Sequence, residues 1–169
     1  MARTVRIPSL SFTFAAATVA LCGCASLVPW SLPPGTPIAQ VRGATFAPAG
    51  EYRLPDGGTR LEFAQGSFGK EKYMMDFDSK GLLVASTQVL TAENLARITP
   101  GATQADVLMQ IGRPVHVINV QRQKLHVWNY RFAGGDCVWY QVSISDETLR
   151  VTEASESSDP ACDGPSRRF

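Results

Sequence analysis

Thiol and imidazole chemistry in this 169-residue chain is confined to Cys22, Cys24, Cys137, Cys162, His116 and His126. Both histidines lie in alternating apolar stretches, and neither has cysteines or carboxylates at ligand spacing, so a hydrogen-bonded structural role is expected for each. Gly66-Ser67-Phe68-Gly69-Lys70 has two glycines and a lysine but lacks the spacing of a phosphate loop. It also lacks a Ser or Thr after the lysine, and it joins two strands instead of opening a helix. No Gly-x-Ser-x-Gly elbow and no paired carboxylates stand out. The expectation is a chain that is not an enzyme and takes no metal or cofactor. The remaining chemistry is that of the thiols: acylation at Cys24 and oxidation of Cys137 with Cys162.

The setting of Cys24 argues for acylation. Arg3 and Arg6 precede an apolar run over residues 7–21 that is too short, and too interrupted by Pro8, Ser9 and Ser11, to span a bilayer comfortably. It has the form of an export signal. Leu21-Cys22-Gly23-Cys24 resembles the lipobox of bacterial lipoproteins, with Cys24 as the first mature residue. Cys22 is the competing acceptor, but Leu21 directly before it is a poor cleavage neighbour. An ordinary signal peptide with incidental cysteines is the other reading and would leave a soluble periplasmic or secreted protein. Acyl chains such as palmitate, at about 0.8 kcal/mol per buried CH₂, would hold the chain on a membrane without a spanning helix. Ala25 stands where inner-membrane lipoproteins often carry Asp, so the resemblance implies the outer membrane, with the protein facing the periplasm.

An exported compartment is oxidising, so one Cys137–Cys162 disulfide is expected, tying a polar tail over residues 155–169 back onto the fold. Two free thiols are the alternative. The formal charge of +1 becomes about −1 once Arg3 and Arg6 are removed, which supplies no basic face for nucleic acid.

The elements that position these groups come in two copies. Pro34-Gly35, Val41 and Pro48 recur as Pro100-Gly101, Val107 and Pro114 at a constant offset of 66. At 67, Leu61 and Phe63 fall on Trp128 and Tyr130; Tyr73, Met75 and Phe77 fall on Tyr140, Val142 and Ile144; and Leu82 and Val84 fall on Leu149 and Val151. In the second copy Thr91 is placed to cap a helix carrying Leu95 and Ile98. Thr103 with Asp106 forms a capping box for a helix carrying Val107, Leu108 and Ile111. Strands are predicted over 115–120, 124–132, 137–144 and 148–153. In the first copy Asp56-Gly57-Gly58 and residues 78–81 supply turn chemistry, and Thr36 with Pro37 opens a helix that contains Gly43. The part aligned with the second copy's first helix is the anchor segment, where Trp30 is placed either at headgroup level or in packing.

The predicted fold class is therefore α+β, a tandem repeat of short helices packed on a four-stranded antiparallel β-meander. Its parts are a signal peptide over 1–23, a lipidated tether over 24–33, a first and degenerate repeat over 34–86, a second repeat over 87–154, and the tail. Alternation turns Trp128, Tyr130, Val138, Tyr140, Val142 and Ile144 toward the helices, with Leu61, Phe63, Tyr73, Met75 and Phe77 likewise in copy one. The opposite face carries Arg60, Glu62, Lys72, Met74 and Asp76 in copy one. In copy two it carries Leu125, Val127, Trp139, Gln141 and Ser143, an apolar patch of the kind that marks a protein contact. The disulfide-tied tail folding over Trp139 is the competing reading of that patch.

The run from Ile98 to Pro114, Ile-Thr-Pro-Gly-Ala-Thr-Gln-Ala-Asp-Val-Leu-Met-Gln-Ile-Gly-Arg-Pro, followed by Val127-Trp-Asn-Tyr130, resembles the SmpA/OmlA (BamE-like) small outer-membrane lipoprotein family. That resemblance covers the second copy. It implies two helices on a small antiparallel sheet, attached to the outer membrane, in an accessory of β-barrel assembly. The tandem arrangement is similar to that of the β-lactamase inhibitory protein, whose two repeats form a concave sheet surface. The expected function is non-catalytic binding of an envelope protein. The alternative is a periplasmic inhibitor or sensor that captures an enzyme or envelope fragment on its sheet surface.

Overall fold

The computed structural model describes residues 31–44, 47–66, 69–132 and 137–162. Cys22, Cys24 and Trp30, the centre of the Gly66–Lys70 loop, the 133–136 turn and the tail beyond Cys162 lie outside the described residues. The first repeat runs α1 (Ile38–Ala44), β1 (Gly50–Arg53), β2 (Thr59–Gln65), β3 (Glu71–Phe77) and β4 (Leu83–Gln88). The second runs α2 (Ala92–Leu95), α3 (Gln104–Ile111), β5 (His116–Val120), β6 (Leu125–Arg131), β7 (Val138–Ser145) and β8 (Val151–Ser158). Each repeat closes its own antiparallel sheet, in the order β1-β2-β3-β4 and β5-β6-β7-β8. This is the expected tandem α+β arrangement, and the two sheets stay separate.

The duplication is visible in the backbone bonding. Gly35 N–H donates to Leu83 C=O at 2.7 Å, as Gly101 N–H does to Val151 C=O at 2.8 Å; Ile38 N–H reaches Gly81 C=O, as Gln104 N–H reaches Leu149 C=O. Gly35 and Gly101 share a left-handed backbone, φ +86° and +92°, which is open to glycine at little cost. Both sheets slip register at the same place, between Asp76 and Phe77 and between Ser143 and Ile144.

These bonds also correct the alignment of the last strand. Leu83, not Leu82 or Val84, is the counterpart of Val151; the two are buried, whereas Leu82, Val84 and Leu149 are exposed. The offset there is 68 because the turn is one residue longer in the second copy. Asp78 N–H closes onto Leu82 C=O in one, and Ser145 N–H closes onto Arg150 C=O in the other. That extra residue puts Leu149, at φ +53°, where the first copy has Gly81 at +76°. An exposed leucine gains nothing in that conformation, so Leu149→Gly is expected to raise stability by up to about 1 kcal/mol in urea unfolding.

Helix starts divide the same way. Thr103 Oγ1 accepts from Asp106 N–H at 3.1 Å while Asp106 accepts from Thr103 N–H at 2.9 Å, the reciprocal capping box. Thr91 Oγ1 accepts from Asn94 N–H. Thr36, expected to open α1, instead turns its hydroxyl back to Pro33 C=O at 2.7 Å. Its own C=O accepts from Leu83 N–H, which ties the start of α1 to the edge of its sheet.

Each sheet buries one face against its helices. Leu61, Phe63, Met75, Phe77 and Leu83 pack with Leu32, Ile38 and Val41, and the larger second core joins Leu95, Ile98, Val107 and Ile111 to Trp128, Tyr130, Tyr140, Val142, Ile144 and Val151. Tyr73 departs from expectation: it is half-buried in the first half of β3 and lies outside the first core. Strand β8 also differs, running from Val151 through Ser158. Its last residues are polar, and pairing with β7 down to Val138 holds them in the sheet without the apolar alternation a sequence reading looks for.

Candidate protein-binding surface

The open side of sheet two is built from four cross-strand rows fixed by the register: Arg131, Trp139 and Ser157; His116, Asn129, Gln141 and Ser155; Ile118, Val127, Ser143 and Glu153; Val120, Leu125 and Ser145. All four residues expected to form a partner site, Trp139, Gln141, Val127 and Leu125, are on this face.

Trp139 is only 8% exposed. The Arg131 guanidinium lies 5.4 Å from its ring centroid and the His116 ring 5.9 Å away. Arg131 is held there by Asp159, with Nε to Oδ2 at 2.6 Å. Asp159 is in turn fixed by its N–H to Cys137 C=O at 2.9 Å, by accepting from Cys162 N–H, and by the Cys137–Cys162 disulfide. The segment after β8 thus folds back and sets an arginine over the indole, so the patch does not present Trp139 itself. Gln141 donates to Asn129 Oδ1 at 2.8 Å, and the fully buried Asn129 donates to His116 C=O. Leu125 and Val127 remain half-buried. His126 lies on the helix side, against Trp128 at 5.9 Å and with Nδ1 2.7 Å from Asp146.

The disulfide closes a sequence separation of 25. Its reduction, or Cys137→Ser, is expected to lower stability by about 3 kcal/mol. Tryptophan emission should shift to the red as the Arg131–Asp159 cover loosens.

The corresponding face of sheet one behaves differently. Arg60, Glu62, Lys72, Met74 and Asp76 were expected on an open polar face; instead the end of α3 and the Gly112-Arg113 turn of the second repeat lie on it. Glu62 and Lys72 are 1% and 2% exposed and ion-paired at 2.9 Å. Lys72 Nζ also donates to Arg113 C=O, and Glu62 accepts from Arg113 N–H at 3.0 Å and from the Tyr52 hydroxyl at 2.5 Å. Arg60, paired bidentately with Asp76, donates to Met109 C=O at 2.5 Å. Arg60 at Met109 C=O answers one of the groups that a helix C-terminus leaves unpaired, and Lys72 answers the Arg113 carbonyl just beyond the helix. The first sheet is thus a socket for a helix end, and the two repeats keep separate four-stranded sheets.

Burial raises the phenol pKa of Tyr52, helped by Glu62, and likewise that of Tyr130, whose hydroxyl donates to Gly112 C=O, and of Tyr140. Burial lowers that of Lys72, against the pull of Glu62. Above the ordinary tyrosine value of about 10 the unfolded chain gives up protons that the folded chain keeps. The tyrosine contribution is therefore fully present below pH 10 and lost above it. Lys72 gives the opposite slope below its usual value. Urea midpoints measured on either side of pH 10 should fall on the alkaline side, and Tyr52→Phe should flatten that fall.

Sequence reasoning placed the strand over 115–120 but missed that its apolar side chains are exposed. Val117 and Ile118 of β5 are 44% and 40% exposed, as is Val115 just ahead of it at 40%, and among the described residues the strand pairs with β6 alone. The signal was available: residues 115–120 are apolar on both faces, while their counterparts at the offset of 66 include Glu51 and Arg53. Comparison with protein-family models, with curated proteins and with solved structures finds no match to this chain.

Proposed function

We propose that this chain is a non-catalytic lipoprotein, anchored through Cys24 to the outer membrane and facing the periplasm, whose second repeat binds an envelope protein. The SmpA/OmlA-like motif and the lipobox support a role as an accessory of β-barrel assembly or envelope integrity. The observation that carries the binding reading is the inequality of the repeats. The outer face of the first sheet is filled from within the molecule, while the second keeps Ile118, Val127 and Leu125 together beside the exposed Val115 and Val117. Apolar residues grouped on a free sheet edge are costly to leave in water unless something occupies them.

A photo-crosslinker placed at Ile118 in native envelopes should capture a protein adduct, and one at Arg53 on the equivalent edge of the first repeat should not. Recovery of lipid adducts alone from Ile118 would refute the reading. Cys24→Ser separates an accessory from a released inhibitor of a soluble enzyme: the accessory loses function with its anchor, and the inhibitor keeps it.

A further inference from the structure

Among the described residues strand β5 pairs with β6 alone, so its other side offers solvent the alternating N–H and C=O groups that a sheet edge leaves unpaired. Its side chains are apolar toward both faces. Val117 is opposite Trp128 on the helix side, and Ile118 is opposite Val127 on the outer side. Beside Val117 lies a hollow of about 370 Å³ lined by Gln104, Leu108, Arg113, Pro114, Val117 and Trp128. Arginines with exposed surface stand at both ends of the strand, Arg113 ahead of it, whose side chain also hydrogen-bonds the Tyr52 hydroxyl, and Arg122 after it. The equivalent edge of the first repeat is guarded: Glu51 of β1 is ion-paired to Arg42 at 2.7 Å, and charge on an edge is the usual defence against strand addition.

Resting on the reading of the second repeat as a protein-binding surface, we infer that β5 is a docking edge for an extended peptide segment of the partner. The segment adds to sheet two as a further strand. Its backbone satisfies the open groups of β5, an apolar side chain enters the hollow against Leu108, Pro114 and Trp128, and carboxylates at its ends meet Arg113 and Arg122. A helix laid on this edge would leave the β5 backbone unmet. A second copy paired antiparallel about Ile118 would set Arg113 of each copy beside Arg122 of the other, a like-charge contact that disfavours self-pairing.

The test uses the full mature chain in detergent micelles and a fluorescent synthetic peptide of alternating valine and threonine with a glutamate at each end. Saturable binding by anisotropy is expected. It should weaken at least about tenfold when the central amides of the peptide are N-methylated, when the end glutamates become lysines, and in Val117→Lys and Ile118→Lys, each at an exposed position. Val84→Lys, on an exposed edge of the first repeat, should leave it unchanged. Equal binding of the N-methylated peptide, or equal loss in Val84→Lys, would overturn the inference. So would absence of saturable binding; if Ile118 still captured a protein in envelopes, the edge assignment would fall and the protein-binding reading would stand. Concentration-dependent self-association abolished by Val117→Lys would give the edge to a second copy and equally overturn it.

Discussion

Lys72→Ala should cost the folded chain about 3–5 kcal/mol, measured as a shift in the urea midpoint at constant slope. The ammonium is 2% exposed and sits between the Glu62 carboxylate and Arg113 C=O, 5.5 Å from the Tyr130 ring centroid. Removing it strands a carboxylate that is itself 1% exposed. Glu62 keeps the hydroxyl of Tyr52 and the amide of Arg113, but those neutral donors do not balance its charge. Glu62→Ala should be comparably damaging from the other side, leaving Lys72 charged and buried. The double replacement Glu62→Leu with Lys72→Met should recover most of the loss, because a buried pair exchanged for apolar groups of similar volume forgoes both desolvation penalties together with the attraction. Additive losses in the double variant would show that the two side chains do not act as a pair.

Gly112→Ala should be comparably severe for a different reason. Gly112 ends α3 with φ +75° and ψ −163°, a conformation essentially reserved for glycine. A Cβ there would stand 2.6 Å from Glu62 Cδ and 2.8 Å from Lys72 Cδ. Backbone strain of about 1–3 kcal/mol and overpacking of about 1–3 kcal/mol add to an expected loss of about 2–6 kcal/mol. Gly43→Ala is the contrasting control: it lies within α1, and its Cβ would meet nothing within 4 Å. It should stabilise the chain by about 1 kcal/mol. Similar unfolding midpoints for the two variants would remove the steric account of Gly112.

The parts of this architecture that were legible in the sequence are those decided within a few residues. The Thr103–Asp106 box, the Thr91 cap and the alternation of Trp128 with Tyr130 are local patterns, and duplication let each copy check the other. What escaped depends on distant partners. Glu62 and Lys72 alternate with apolar residues as a solvated face would, and nothing near them announces that Arg113 arrives from 51 and 41 residues away. The one-residue longer turn before β8 moved the buried position from Leu82 to Leu83, a shift that apolar neighbours on both sides conceal. Trp139 was placed on the correct face, but its cover comes through Arg131 from Asp159, a polar residue in a stretch without periodicity. The exposure of β5 follows from its being the edge of the meander, and the apolar residues on both faces of 115–120 were its one local sign.

The socket on the first sheet makes the two halves unequal in autonomy. The second repeat carries its own cluster of apolar side chains, its own caps and its own disulfide, so its integrity is largely internal. The first holds a carboxylate and an ammonium on its back that only the incoming turn of its sibling desolvates and satisfies together. Cut between the copies, the chain would leave one half close to self-sufficient and the other with a charged, half-dressed sheet. The dependence runs from the C-terminal unit to the N-terminal one, so during synthesis the half made first must wait for the half made last.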